Sequence, residues 1–157
     1  EQKKGTLHNA CTEMPMWQQF FDDHASARDD AFERYATTGE IIDAIGKGEY
    51  DFYLHTPDVS KELLMPQKAT DSMQIKTHVD YIVRHLSELS EGEFTKETIK
   101  TTIWEYGSDV GRGMVLWPMR VALSGMRTSP DPFLIAEAIG KKETLARLER
   151  ASQILSN

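Results

Sequence analysis

The sequence predicts an all-α fold, because apolar residues recur at helical spacing along most of the chain and because helix start and stop signals flank several of these stretches. No stretch has the strict alternation of polar and apolar residues that indicates a convincing β-strand. The chain has 157 residues, of which 39% are hydrophobic and 27% charged. A soluble chain of this size and composition can bury one moderate core or two small ones.

The first predicted helix spans residues 14–35. The apolar residues on one face of it are Met16, Phe20, His24, Ala27, Ala31 and Tyr35. A short second helix begins at the capping-box pattern Thr37-Thr38-Gly39-Glu40 and ends at Gly46. Residues 47–57 are predicted to form a loop.

The clearest helical pattern lies between residues 70 and 89, with Asp80 placed to pair with Arg84 on the outer face. The inner positions of this helix are Ile75, Val79, Ile82, Val83, Leu86 and Leu89. Thr95 is predicted to cap the next helix, which we expect to end at Gly107.

Three more helices are predicted in the last third of the chain. The first is apolar, spans residues 111–125 and contains Pro118. Asp131 followed by Pro132 is a start signal for the second, and Gly140 is a stop signal. The third spans residues 141–155, with Glu143 paired to Arg147 on its outward face.

The net charge of −7 argues against a nucleic-acid partner, because Lys and Arg drive phosphate binding. The acidic residues, however, are concentrated in the first part of the chain. Residues 1–100 hold 11 Lys+Arg and 19 Asp+Glu, whereas residues 101–157 hold 7 and 6. Between Gly111 and Pro130 there are three arginines and no carboxylate, so a local positive surface can form on an acidic protein.

Cys11, the single cysteine, excludes an internal disulfide framework and predicts a reducing compartment, so we expect a cytoplasmic protein. The longest apolar run, residues 114–119, is too short to cross a membrane. The first residue is not methionine, which fits a piece of a longer protein.

The sequence contains no recognisable catalytic or cofactor motif. Gly111-Arg112-Gly113 lacks the third glycine of a dinucleotide loop, and we predict no preceding strand. Only His8 and Cys11 have the short spacing of zinc ligands. The adjacent carboxylates Asp22-Asp23 and Asp29-Asp30 are predicted to lie on a solvated face.

Residues 114–150 carry the most specific pattern in the sequence. The segments that matter are Trp117-Pro118-Met119-Arg120-Val121-Ala122-Leu123, Ser124-Gly125, Ser129-Pro130 with Phe133 after it, Ile139-Gly140-Lys141-Lys142-Glu143 and Leu148-Glu149-Arg150. In order and spacing they resemble the C-terminal end of bacterial-type glutamyl-tRNA synthetases. Residues 33–41 and Asp51-Phe52-Tyr53 resemble the start of the anticodon-binding region of the same family, so the resemblance covers about residues 32–155.

The resemblance implies a helical cage of two small contacting subdomains, of the class I synthetase anticodon-binding type, at residues 31–92 and 93–157. Residues 1–30 form an unplaced, partly helical segment. This chain would bind the anticodon loop of glutamate tRNA as a monomer, without catalytic residues, cofactor or metal of its own and away from membranes. A separate Rossmann domain of the same ligase, whose HIGH-like and KMSKS-like signatures are not found here, would activate glutamate with ATP and magnesium.

The same resemblance assigns nucleic-acid binding to Arg34, Arg120, Ser129 and Pro132. Arg34 matches the arginine that reads the third anticodon base, and Arg120 matches an arginine near the anticodon. Ser129 and Pro132 match positions that present a hydroxyl and an apolar group to the first two bases, where the family often has threonine and leucine. Tyr35, Trp117 and Phe133 are the aromatic residues that could stack on a base.

Other interpretations of these residues stay open at this point. Arg34 could be a solvated cation at a helix end, and Arg120 could pair with a buried carboxylate or a helix terminus. The three aromatic residues could belong to the core. The whole chain could instead be a helical protein-interaction module that docks the apolar helix 114–123 on a partner. A helix-turn-helix DNA-binding protein is poorly supported, because no basic recognition helix is present.

Overall fold

The computed structural model describes residues 15–157, which contain nine α-helices and no β-strand, so the predicted all-α class is confirmed. Lys61–Leu64 is a helix that the sequence does not predict. In chain order the helices are α1 (Pro15–Asp23), α2 (Ala25–Arg34), α3 (Thr38–Gly46), α4 (Lys61–Leu64), α5 (Ser72–Ser87), α6 (Lys96–Val110), α7 (Arg112–Ser124), α8 (Pro132–Ile139) and α9 (Lys141–Ser156). Short 3₁₀ turns lie at Asp51–Tyr53 and Glu91–Glu93. Across the described residues, each helix is too short or too polar to pass through a lipid bilayer.

The chain divides into two compact units, Glu1–Asp51 and Phe52–Asn157. Helices α1 to α3 belong to the first unit and α4 to α9 to the second. The subdomain boundaries expected from the sequence, at 30/31 and 92/93, lie elsewhere and stay predictions.

The first unit has an aromatic core in which Phe20 and Phe21 pack edge to face with their ring centroids 5.4 Å apart. The single helix predicted over residues 14–35 is in fact two helices, and residue 14 lies outside the described part. The break falls at His24, whose φ of −127° and ψ of 77° are not helical. The His24 ring nitrogen Nδ1 lies 2.8 Å from the Phe20 carbonyl oxygen, so this side chain bonds to the last turn of α1.

Helix α3 begins as predicted, because the Thr37 hydroxyl accepts a hydrogen bond from the Glu40 amide at 3.2 Å. The Glu40 carboxylate accepts in turn from the Ala36 amide at 3.3 Å. The segment predicted as a loop, residues 47–57, contains the 3₁₀ turn Asp51–Tyr53, and Tyr50, Phe52 and Tyr53 are buried.

The second unit is built around α5 and α9, which pack against each other more extensively than any other pair of its helices. Asp71 caps α5, and the predicted inner positions Ile75, Val79 and Ile82 are fully buried. The Asp80 carboxylate pairs with Lys76 at 2.7 Å instead of with Arg84, and it accepts a hydrogen bond from the Ser152 hydroxyl of α9 at 2.5 Å.

Helix α6 is capped by Thr95 as predicted but does not end at Gly107. Gly107 lies inside the helix, and its main chain continues the helical hydrogen bonding as far as Gly111, whose φ of +107° ends the helix. Asp131 caps α8, Pro132 occupies its first turn, and Gly140 follows its last residue, as the sequence predicts.

Candidate nucleic-acid interface

We call residues 124–131, which comprise the last residue of α7 and the connection to α8, the α7–α8 corner. Helix α7 ends because Gly125 adopts a left-handed conformation with φ of +69°, while its amide donates to the Val121 carbonyl at 2.7 Å. A Cβ atom on Gly125 would lie only 2.7 Å from Cβ of Pro57. Glycine is therefore required here by both backbone conformation and packing.

Arg120 and Ser129, two of the predicted site residues, are joined in the α7–α8 corner. Nη1 of Arg120 lies 2.7 Å from the Ser129 carbonyl oxygen, 2.9 Å from the Ser129 Oγ and 3.3 Å from the Pro130 carbonyl oxygen. The Ser129 hydroxyl donates to the Pro130 carbonyl at 2.8 Å. Since that hydroxyl uses its hydrogen internally, what it offers a ligand is an acceptor lone pair.

Pro132 is buried in the first turn of α8, where Asp131 accepts a hydrogen bond from the Phe133 amide at 2.7 Å. Because its ring is packed inside the second unit, little of Pro132 is accessible to a ligand, and its contact with a base stays a prediction. Phe133 is also buried and is a core residue, not a stacking surface.

Arg147 supports the α7–α8 corner from helix α9. The ion pair with Glu143 forms at 2.9 Å, but the prediction that it faces outward is wrong, because the Arg147 side chain is only 3% exposed. Its guanidinium donates to the Leu123 carbonyl at 2.6 Å and to the His55 carbonyl at 3.4 Å. Arg147 thus satisfies a carbonyl at the end of α7, just before the corner. The i,i+4 spacing predicts the pair of Glu143 and Arg147, but no local pattern in the sequence indicates that Arg147 also donates to two distant carbonyls.

Arg34, the third predicted site residue, is the last residue of α2 in the first unit. Its side chain is 38% exposed, and Nη2 lies 3.6 Å from the Asp30 carboxylate one turn earlier. A cation in the last turn also interacts favourably with the helix dipole. The structure therefore places this guanidinium at the surface, with one carboxylate beside it.

Two tyrosines lie close to Arg34 in the first unit. The Tyr35 hydroxyl donates to the Glu49 carboxylate, and this hydrogen bond is the main reason why the pKa of Tyr35 is raised. Burial raises the pKa of Tyr50, and the positive charge of Arg34 offsets part of this rise. Both phenols are therefore neutral at physiological pH, and Tyr35 keeps a half-buried ring beside Arg34.

The described residues show no group of three His, Cys, Asp or Glu side chains that could hold a metal ion. His8 and Cys11 lie outside the described residues. Gly111-Arg112-Gly113 joins two helices and does not follow a strand, so it lacks the setting of a dinucleotide loop. The Arg112 guanidinium instead lies 4.5 Å from the ring centre of Trp104.

Comparison with known proteins identifies the family of this chain. Residues 14–152 match the family model described as an anticodon binding domain. The glutamate-tRNA ligase of Clostridium kluyveri is 35% identical over 103 residues, which cover 63% of this chain and 21% of that protein. The ligase of Clostridium tetani is 32% identical over 125 residues, covering 77% of this chain and 25% of that protein.

A solved structure shares the fold. The crystal structure of a glutamate tRNA ligase from Elizabethkingia meningosepticum, in complex with its amino acid, matches with a TM-score of 0.69 and 23% identity over 98% of this chain and 31% of that one. The chain thus spans about a quarter or less of the curated relatives cited above. Because the family model extends over nearly all of its length, the chain belongs to the anticodon binding domain family.

Proposed function

We propose that this chain is the anticodon-binding part of a glutamate-tRNA ligase and that it recognises the anticodon loop of glutamate tRNA. The relatives named above are ligases of this kind, and their remaining length leaves room for a catalytic domain. In this proposal that domain has a Rossmann fold and uses ATP and magnesium to activate glutamate. The protein works as a monomer in the cytoplasm, and this chain contributes recognition of the tRNA.

The observation that carries the proposal is the exposed guanidinium of Arg34. A guanidinium presents a rigid fork of donors and no acceptor. The third anticodon base is cytosine in glutamate tRNA, and its Watson-Crick edge offers two adjacent acceptors, O2 and N3. Guanine, the corresponding base of glutamine tRNA, presents two donors on that edge beside a single acceptor. Arg34 therefore favours cytosine over guanine on chemical grounds.

The α7–α8 corner supplies a second kind of contact. The Ser129 Oγ is fixed between Arg120 and the Pro130 carbonyl, so its free lone pair has a defined direction. In this proposal it accepts a hydrogen bond from an amino or imino group of one of the first two anticodon bases. Arg120 then acts as a positioning residue, because its Nη1 is engaged with the corner.

A titration with two RNA hairpins tests the proposal. One is the anticodon stem-loop of glutamate tRNA, and the other differs only in having guanine at the third anticodon base. The 157-residue chain is expected to bind the first more tightly, and Arg34→Gln is expected to reduce the preference by about 5- to 150-fold, as for the loss of a bidentate contact. Fluorescence anisotropy of labelled hairpins measures both affinities.

Lys47→Gln is the matched control, since Lys47 is another exposed cation of the first unit that pairs with a carboxylate one turn away. Removing it should weaken both hairpins equally, by loss of general attraction to phosphate. An equal loss on both hairpins for Arg34→Gln would contradict the role of Arg34. Failure of the unmodified chain to bind either hairpin would contradict the proposed function itself.

The alternative of a protein-interaction module loses its main support in the structure. Helix α7, the apolar segment offered as its docking surface, packs against α4, α5, α6, α8 and α9. Val115, Met119 and Leu123 are fully buried within the second unit. The apolar face of α7 is therefore already occupied by its own chain.

A further inference from the structure

The second unit contains an open cleft of about 710 Å³ between α4 with the residues that follow it and the first half of α7. Its volume falls within the range of sites that hold small molecules, about 300–1,000 Å³. Neither Arg120 nor Ser129 lines it. We propose that this cleft is a base-stacking site that takes one unstacked nucleotide of the tRNA anticodon loop, an inference that rests on the proposed function.

Trp117 provides the aromatic surface of the cleft. Its indole nitrogen donates to the Leu63 carbonyl at 2.8 Å, which fixes the orientation of the ring, while the side chain as a whole remains partly exposed. Met65 and Met114, both half-buried, add polarizable apolar surface. A flat ring held in one orientation loses little conformational entropy when a planar ligand stacks on it.

The charges at the cleft favour a phosphate-bearing ligand. Lys68 and Arg127 line it together with a single carboxylate, Glu62, although the whole chain has a net charge of −7. Lys68 and Arg127 are both exposed, and none of the ion pairs within residues 15–157 includes either of them. An apolar aromatic surface flanked by cations is the combination with which proteins hold single-stranded nucleic acid.

The position of Arg127 points to the anticodon loop and not to an unrelated ligand. Arg127 belongs to the α7–α8 corner, two residues before Ser129. Trp117 and Arg120 lie one turn apart on α7. The cleft and the corner are thus formed in part by the same helix and the same connection, so a nucleotide in the cleft would be continuous with bases held at Ser129.

Gly113 offers a way to close the cleft without disturbing the fold. It lines the cleft, its φ is not positive, and a Cβ atom on it would meet no protein atom within 4 Å. A leucine at this position would project into the space assigned to the base, while its higher helix propensity favours folding of α7. Gly92 is equally open but does not line the cleft, so Gly92→Leu is the matched control.

The test is anisotropy with the glutamate anticodon stem-loop and the full 157-residue chain. Trp117→Leu and Gly113→Leu are each expected to weaken binding by about 5- to 100-fold, the effect of losing one stacked base. Trp117→Phe should keep most of the affinity, because a flat ring remains. Gly92→Leu should bind as the unmodified chain does, and circular dichroism shows whether each variant is folded.

The outcomes separate this inference from the proposed function. If the unmodified chain binds the stem-loop and Gly113→Leu binds it equally well, the cleft holds no nucleotide and the inference is wrong, while anticodon binding stands. The same conclusion follows if a folded Trp117→Leu binds normally, and the cleft would then suit a protein partner better. If the unmodified chain does not bind the stem-loop at all, the proposed function fails first.

Discussion

The two arginines assigned to the anticodon differ in how their guanidinium groups are held. Arg34 in the first unit is exposed at the end of α2 and has one carboxylate 3.6 Å away. Arg120 in the second unit is half-buried, and its Nη1 lies within hydrogen-bonding distance of three oxygens of the α7–α8 corner. The first has donors that a ligand can reach, and the second has donors committed to the protein.

Under the proposed function, Arg34 contacts a base directly, whereas Arg120 positions Ser129, the residue that contacts a base. Exposed surface pairs contribute little to stability, so Arg34 can be optimised for its ligand. Hydrogen bonds from a charged donor to buried carbonyls contribute more, and their loss leaves the acceptors unsatisfied. We therefore expect substitutions at the α7–α8 corner to change stability and substitutions at Arg34 to change specificity.

The largest stability effect is expected from Gly125→Ala. The left-handed backbone penalises any side chain by about 1–2 kcal/mol. The new Cβ would also lie 2.7 Å from Pro57, and overpacking costs about 1–3 kcal/mol. Urea denaturation should show a loss of roughly 2–4 kcal/mol, whereas Gly113→Ala, at an open helical position, should be neutral or stabilising. A neutral Gly125→Ala would show that the corner is not held tightly.

A second large effect is expected from Arg147→Met. The substitution keeps much of the side-chain volume but leaves the Leu123 carbonyl without its buried donor. The free energy of unfolding should fall by roughly 2–4 kcal/mol, as for loss of hydrogen bonds from a buried charged group. Arg150→Met is the control, because that side chain is half exposed and lies 3.9 Å from an exposed carboxylate. Similar losses in both variants would argue against a special role for Arg147.

An intermediate effect is expected from Arg120→Ala, which tests the comparison directly. Stability should fall by about 1–3 kcal/mol, because carbonyls of Ser129 and Pro130 lose a charged donor. Arg34→Ala should change stability by no more than about 0.5 kcal/mol, as exposed substitutions usually do. Thermal denaturation of both variants measures the difference. Equal losses of stability in the two variants would show that the corner does not depend on Arg120.

The smallest effect is expected in the pH dependence of stability. The hydrogen bond from Arg147, followed by that from Thr56, holds the pKa of Glu143 below its ordinary value of 4.5. A depressed carboxyl pKa contributes stability above the unfolded value, and this contribution is lost as the pH falls through the folded pKa. Glu143→Gln should therefore be less stable than the unmodified chain above about pH 4.5. At lower pH the free energies of unfolding of the two proteins should converge. Urea titrations at several pH values detect this, and a difference independent of pH would contradict it.

Features of the fold that depend on neighbouring residues could be predicted from the sequence. The caps at Thr37, Thr95 and Asp131 each use a hydrogen bond to a main-chain amide two or three residues later, so the local pattern was sufficient. Four of the six predicted inner positions of α5 are buried, whereas Val83 is only half-buried and Leu89 lies beyond the helix end. The predicted helix end at Gly107 is wrong, because a single glycine is tolerated inside a helix when the main-chain hydrogen bonds continue on both sides.

Features that depend on distant contacts could not be predicted. The partners of Arg147 include the carbonyls of Leu123 and His55, which are 24 and 92 residues away in the chain. Asp80 is predicted to pair with Arg84 in its own helix, but it pairs with Lys76 and accepts a hydrogen bond from Ser152, 72 residues away. In the candidate site, the resemblance points to Arg120 and Ser129 separately, and the structure shows that they bond to each other.

The dependence of the α7–α8 corner on Arg147 has a consequence for biosynthesis. The corner leaves the ribosome before α9, so the side chain that satisfies the end of α7 emerges only after residues 124–131 have done so. The local bonds at Gly125 and Ser129 can form early, but the buried guanidinium can arrive only after Arg147 emerges. Completion of the α7–α8 corner is thus a late event, because it has to wait until the first half of α9 has emerged.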